Sequence, residues 1–157
     1  MPTLNIITEI KAPMQRCFDL SRSIDLHQLS THQTKERAIA ERISGLIELD
    51  EIVTWEATHL GVKQKLTFKI TAFNYPSHFR DEQIKGVFKK FTHDHYFEQI
   101  EYTTIMKDVF YFETPLGILG KLFNWWFLKR YMEIFLKKRN DFVKDIAEGD
   151  AWKQILT

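Results

Sequence analysis

A single cysteine, Cys17, excludes an internal disulfide and a thiolate metal cluster. Flanked by Arg16 and Phe18 in a predicted first helix, it reads as a buried structural thiol rather than a nucleophile. Only 6 glycines and 4 prolines punctuate the chain, and no repeat, low-complexity tract or linker interrupts it. We therefore expect one domain over residues 1–157, large enough to bury a substantial core without staples. Charge of one sign is also missing: 22 basic against 21 acidic residues leave a net +1, and no global field favours nucleic acid. No apolar stretch approaches the roughly 20 residues that span a bilayer, so no integral membrane segment is expected. The opening MPTLNIITEIKAP lacks a basic region followed by an apolar run, which argues against a secretory signal and for the cytoplasm.

What the chain has in excess is rings. Aromatic residues make up 14% of it, including 13 Phe and 4 Trp, more than a minimal core requires. Such an excess fits a thick core or a hollow lined by rings.

Alternation of apolar and polar residues marks most of the chain as strand. Leu4, Ile6, Thr8 and Ile10 share one face of an opening strand. Pro13 suits the first turn of a helix over about 13–20, and Ser21 or Ser23 suits the cap of a second short helix ending near Leu29. Residues 31–49 read as loop plus one or two weak strands. From residue 51 the period of two returns, with Val53, Trp55, Ala57 and His59 on one face. After a turn at Leu60 and Gly61, Val62, Gln64, Leu66, Phe68, Ile70 and Ala72 line one side of the cleanest half-buried strand. Phe79, Asp81 and Gln83 share a face of the next strand. Short turns between successive strands predict an antiparallel meander.

The last two strands carry the chemistry. Phe91, His93, His95 and Phe97 form the less charged face of one, and Met106, Asp108, Phe110 and Phe112 that of the other. For odd and even residues to share a face, antiparallel partners must sum to an odd number. A turn near residues 100–102 then makes 201 or 203 the sum, placing Asp108 opposite His93 or His95. A carboxylate among Met and Phe needs hydrogen bonds or a cation, and imidazole supplies both. The group reads as a satisfied polar cluster, a ligand-orienting site, or an acid–base pair. His93, His95 and Asp108 are thus the candidate catalytic residues, although no nucleophile accompanies them. No cofactor and no metal is assigned: two histidines at i and i+2 plus a carboxylate, with His59 joining, would suit iron or zinc, but that spacing is common by chance.

Pro115, Gly117 and Gly120 end the strands. From Leu119 onward, Leu122, Phe123, Trp126, Met132, Phe135, Arg139, Phe142 and Ile146 recur every three or four residues and predict a helical face. The apolar run NWWFLKRY, residues 124–131, would put some rings beyond the sheet, as a gate, a homodimer surface or a lipid contact. Lys137, Lys138 and Arg139 read as a solvated face, with Asp141 as a local partner for Lys137. Trp152, after the helix stop at Gly149, is expected to dock back on the body.

This order of elements resembles the START-like or Bet v 1-like superfamily, also called SRPBCC, and within it a bacterial subgroup labelled cell-division inhibitor-like. The segments that carry the resemblance are SIDLH at 23–27, VTWEATHLG at 53–61, FRDEQIKGVF at 79–88, FTHDHYF at 91–97, MKDVFYFETPLGILG at 106–120 and FLKKRN at 135–140. It implies an α+β helix-grip: a strand, two short helices, a curved antiparallel sheet and a long C-terminal helix that the sheet wraps. It also implies a cavity for a small apolar, lipid-like or polyketide-like ligand, and it fixes no reaction, since such folds serve as carriers, receptors and enzymes alike. Matching polar positions are His27, Trp55, His59, Asp81, Gln83, His93, His95 and Asp108. With the face assignments, the candidate ligand contacts are these sheet residues together with Phe68, Phe79, Phe91, Phe97, Met106, Phe110 and Phe112. The helix adds Leu122, Phe123, Trp126 and Phe135. An interaction module, as a homodimer built on the surface at residues 125–131, is the third reading.

Overall fold

Period-two burial produces the sheet. In β1 (Thr3–Ile10), Leu4, Ile6, Thr8 and Ile10 are buried while the residues between them face solvent. The computed structural model describes residues 3–59, 61–114 and 125–157, except the side chain of Trp125. After β1 come α1 (Met14–Ser21), α2 (Ile24–Ser30) and a single 3-10 turn (His32–Thr34). Six strands follow: β2 (Arg37–Glu41), β3 (Ile52–His59), β4 (Val62–Asn74), β5 (His78–Lys85), β6 (Lys90–Ile100) and β7 (Thr103–Glu113). The chain closes with α3 (Trp125–Glu148) and α4 (Trp152–Ile155).

All seven strands form one antiparallel sheet in the order β1-β7-β6-β5-β4-β3-β2, so the meander from β2 to β7 is completed by β1. β4 carries register shifts against β5, where an extra residue re-aims the strand. α3 lies on β1, α1 and α2, which gives the helix-grip arrangement. Ser23 caps α2 by accepting from the Leu26 amide at 3.1 Å. Pro13 stands one place before α1 rather than inside it, because its fixed φ and missing N–H serve the cap equally well.

The α3 face differs from the expected one. Met132, Leu136, Arg139, Asn140, Val143 and Ala147 are buried, whereas Phe135, Phe142 and Ile146 are only half-buried and Trp126 is 74% exposed. Arg139 is therefore no part of a solvated face; Lys137 and Lys138 are exposed, and Lys137 pairs with Glu133 at 2.9 Å instead of Asp141. The expected turn residue Leu60, the strand-ending Pro115, Gly117 and Gly120, and the helical positions Leu119, Leu122 and Phe123 lie outside the described residues. Trp152 stacks under the Arg16 guanidinium at 3.8 Å and so fastens α4 to α1.

Cys17 is fully buried, and burial pushes its thiol up to about 11. Native protein at neutral pH should therefore react with an aromatic disulfide reagent only as fast as it opens. Labelling at the rate of an unfolded cysteine would contradict this placement.

Candidate functional site

The concave side of the sheet does not pack flush on α3. Between them lies a cavity of about 400 Å³, within the size range of small-molecule sites. Its middle is apolar, walled by Leu66, Phe68, Phe91 and Phe110 from the sheet and Met132 and Leu136 from the helix. Two polar groups interrupt it.

The first is built on β5, β6 and β7. Alternation points His93 and His95 the same way, and the β5–β6 register sets Asp81 opposite His93. The β6–β7 turn has two residues, Glu101 and Tyr102, with Glu101 at φ 55, and this fixes the sum at 203: His95 stands opposite Asp108. Yet His93, on the diagonal, makes the shorter contact. Its Nε2 lies 2.7 Å from Asp108 Oδ1, and His95 Nδ1 is 3.1 Å from the same oxygen but out of line for a hydrogen bond. His95 Nε2 meets Asp81 Oδ1 at 2.8 Å. The rings of His93 and His95 lie 3.8 Å apart, and Phe79 stacks on His95 at 4.1 Å.

α3 completes the group from the opposite side. Asn140 Nδ2 donates to Asp108 Oδ2 at 2.7 Å. Arg139 donates to the Ser21 carbonyl at 2.9 Å and to Asn140 Oδ1 at 3.2 Å, and one of its nitrogens stands 3.7 Å from Asp108 Oδ1. Asp108 thus has no exposure and sits behind the histidines, which line the cavity with Asp81 and Arg139.

Electrostatics follow from this packing. Burial opposes ionisation of Asp108, but the hydrogen bond from His93 and the close approach of His95 outweigh it and hold the carboxyl well below its usual range. Asp81 is likewise lowered, burial being overcome by His95, His93 and Arg139. His93 is pushed down, first by burial and then by the charge of His95. Burial opposes the charged form of His95 too, yet its contacts with Asp108 and Asp81 together exceed that cost and raise it.

The second polar group gathers at the β2–β3 side. His59 Nδ1 and Tyr131 Oη lie 2.7 Å apart, and His27 Nε2 is 3.3 Å from Glu36 Oε2. The Glu36 side chain is only 8% exposed, and that oxygen has no hydrogen bond. His27 also packs on Trp55 with ring centres 4.5 Å apart.

Among the candidate contacts, Trp55, His59, Phe68, Phe79, Asp81, Phe91, His93, His95, Phe110 and Phe135 line the cavity, as does His27. Others do not reach it. Asp108 lies one layer deeper, Phe97 packs on Phe18, and Met106 receives the Ser21 hydroxyl at 3.5 Å. Phe112 fills the core beside Phe88, and Trp126 points to solvent. Gln83 instead braces the β5–β6 turn by donating to the Phe88 carbonyl at 2.7 Å. Leu122 and Phe123 lie outside the described residues. Glu36, Tyr131, Arg139 and Asn140 escaped the sequence reading of the site. Glu36 lies in its least legible segment, and a polar pair at i and i+1 on a helix resembles surface.

Curvature, strand order and the gripped helix define the START/Bet v 1-like fold. The chain superimposes on the crystal structure of protein TTHA0849 from Thermus thermophilus with a TM-score of 0.71 at 17% identity, over 90% of this chain and 97% of that one. A START superfamily protein from Mycobacterium smegmatis gives a TM-score of 0.71 at 11% identity, covering 93% and 97%. The major latex-like protein 151 of Panax ginseng gives 0.70 at 12% identity, covering 94% and 98%. No family model and no curated protein matches the sequence. Among the described residues, no helix is long and apolar enough to cross a membrane.

Proposed function

We propose that this protein binds a hydrophobic or amphipathic small molecule in the cavity between sheet and α3. The observation that carries this reading is the cavity of about 400 Å³, with an apolar middle and buried charged groups on one wall. A solid core would need no such hollow, since interiors otherwise pack to crystal density. The rings supply apolar burial, and Asp81, His93, His95 and Arg139 orient a polar end. Native mass spectrometry of freshly purified protein should show a stoichiometric small-molecule adduct that denaturation releases. Replacing Leu66 by Trp, to fill the hollow, should abolish the adduct while the fold persists. An adduct undiminished in that variant would sink the reading.

One observation favours a second reading, acid–base catalysis of a cyclase, dehydratase or isomerase type. Two imidazoles face the same cavity beside one carboxylate, with burial pushing His93 down and the contacts to Asp108 and Asp81 pushing His95 up, an arrangement suited to giving and taking protons. Turnover of an identified ligand surviving in His93→Gln and His95→Gln would exclude it. Self-association is a separate property, supported by the exposure of Trp126 and Phe127 at the start of α3.

A further inference from the structure

Asp81, His93 and His95 each present one donor atom, and the three atoms lie within 4.8 Å of one another. They do so from adjacent strands, held by backbone register rather than by loops. All three border the cavity, so the side away from the sheet is open to a further ligand. Behind them stands Asp108, whose Oδ1 lies 2.7 Å from His93 Nε2 and 3.1 Å from His95 Nδ1. That leaves His93 Nδ1 and His95 Nε2 as the donors not aimed at Asp108. A carboxylate hydrogen-bonded to the rear nitrogen of a ligating histidine, as Asp108 is to His93, fixes its tautomer and raises its basicity. Asn140 in turn anchors the other oxygen of Asp108 at 2.7 Å.

We propose that Asp81, His93 and His95 form a binding site for one first-row divalent cation of the zinc or ferrous class, open on its cavity side. Two imidazoles and one carboxylate are the donor set that suits these ions. Geometry agrees. A tetrahedral ion with bonds of about 2.1 Å holds its ligand atoms about 3.4 Å apart, while His95 Nε2 and Asp81 Oδ1 are 2.8 Å apart. That pair needs to part by only a fraction of an ångström, and the third atom, within 4.8 Å of both, needs to close by at most about 1.4 Å. Charge agrees as well: with both imidazoles neutral, Asp81 and Asp108 outnumber Arg139 by one negative charge. A cation takes the place of the contact between His95 Nε2 and Asp81 Oδ1. The site stands on its own, whether or not an organic molecule fills the cavity.

The test uses the full chain, stripped with chelator and titrated with zinc chloride alone against a competing indicator. One ion per chain is expected. Asp81→Asn, which keeps its shape, should weaken binding roughly 100-fold, and Asp108→Asn about 10–100-fold through the histidines. Glu36→Gln, in the other polar group, should change nothing. Should the variants fail to fold, nitrogen-15 spectra of the wild-type histidines decide. Large shifts at His93 and His95 on adding zinc support the site. Shifts confined to the exposed His32 or the half-buried His78, no binding, or full binding by folded Asp81→Asn would overturn it. No organic ligand enters any of these measurements, so their failure leaves the cavity reading untouched, and the reverse holds too.

Discussion

Asp108→Ala is expected to lower the stability of the protein by about 3–5 kcal/mol, the cost of removing one partner from a buried ionic group. The carboxylate has no exposure, and its loss strands several donors at once. His93 and the Asn140 amide each lose a contact of 2.7 Å, and Arg139 loses its counter-charge at 3.7 Å. For a chain of this size the melting temperature should fall by about 6–20 °C. Urea unfolding within about 1 kcal/mol of wild type would show that the cluster is not an energetic centre of the fold. The same residue sets part of the acid response. An aspartate in the unfolded chain titrates near about 3.9, and the folded Asp108 lies well below this. Its contribution is therefore complete above about pH 4 and is lost as the pH falls through the folded value. Between about pH 4 and the folded value the wild type should lose stability more steeply than Asp108→Ala, and a parallel decline would contradict the assignment.

Phe18→Ala should cost about 3–5 kcal/mol. The ring is fully buried and is met by Phe73, Tyr75, Phe79 and Phe97, with centroids 5.1–5.3 Å away. Phe79 and Phe97 are themselves buried in the sheet and so resist collapse into the space, and most of the cavity penalty should persist. The change should also reach the site. Phe79 touches Phe18 on one side and stacks on His95 at 4.1 Å on the other, so losing Phe18 loosens the wall that positions the imidazole. Calorimetry gives the stability, and the His95 ring signals report the wall. A variant as stable as wild type would refute the packing argument, and unaltered His95 signals would refute its extension to the site.

Particular elements show why some of this was legible in sequence. The faces of β6 and β7 followed from alternation because strand side chains have a period of two, so His93, His95 and Asp108 could be placed together from the pattern alone. The choice of partner could not be made. It depended on a two-residue turn at Glu101 and Tyr102 that carries no glycine, and on a diagonal contact that register alone does not specify. The α3 face was misjudged because its aromatic residues outweighed smaller ones in the pattern. Arg139 and Asn140 are buried among polar partners that lie far away in sequence, Asp108 for Asn140 and the Ser21 carbonyl for Arg139.

Local pattern by itself determined the long strands, their sidedness and the presence of two short helices, since each depends on residues close in the chain. The helix-grip class came from the order of those elements and the resemblance it carries. Tertiary structure alone decided which inward residues meet empty space and which meet protein. Asp108 and Met106 share a face with Phe110, yet only Phe110 reaches the cavity. The physical reason is that cavity shape depends on how far α3 stands from a bent sheet, a distance set by every packed side chain between them.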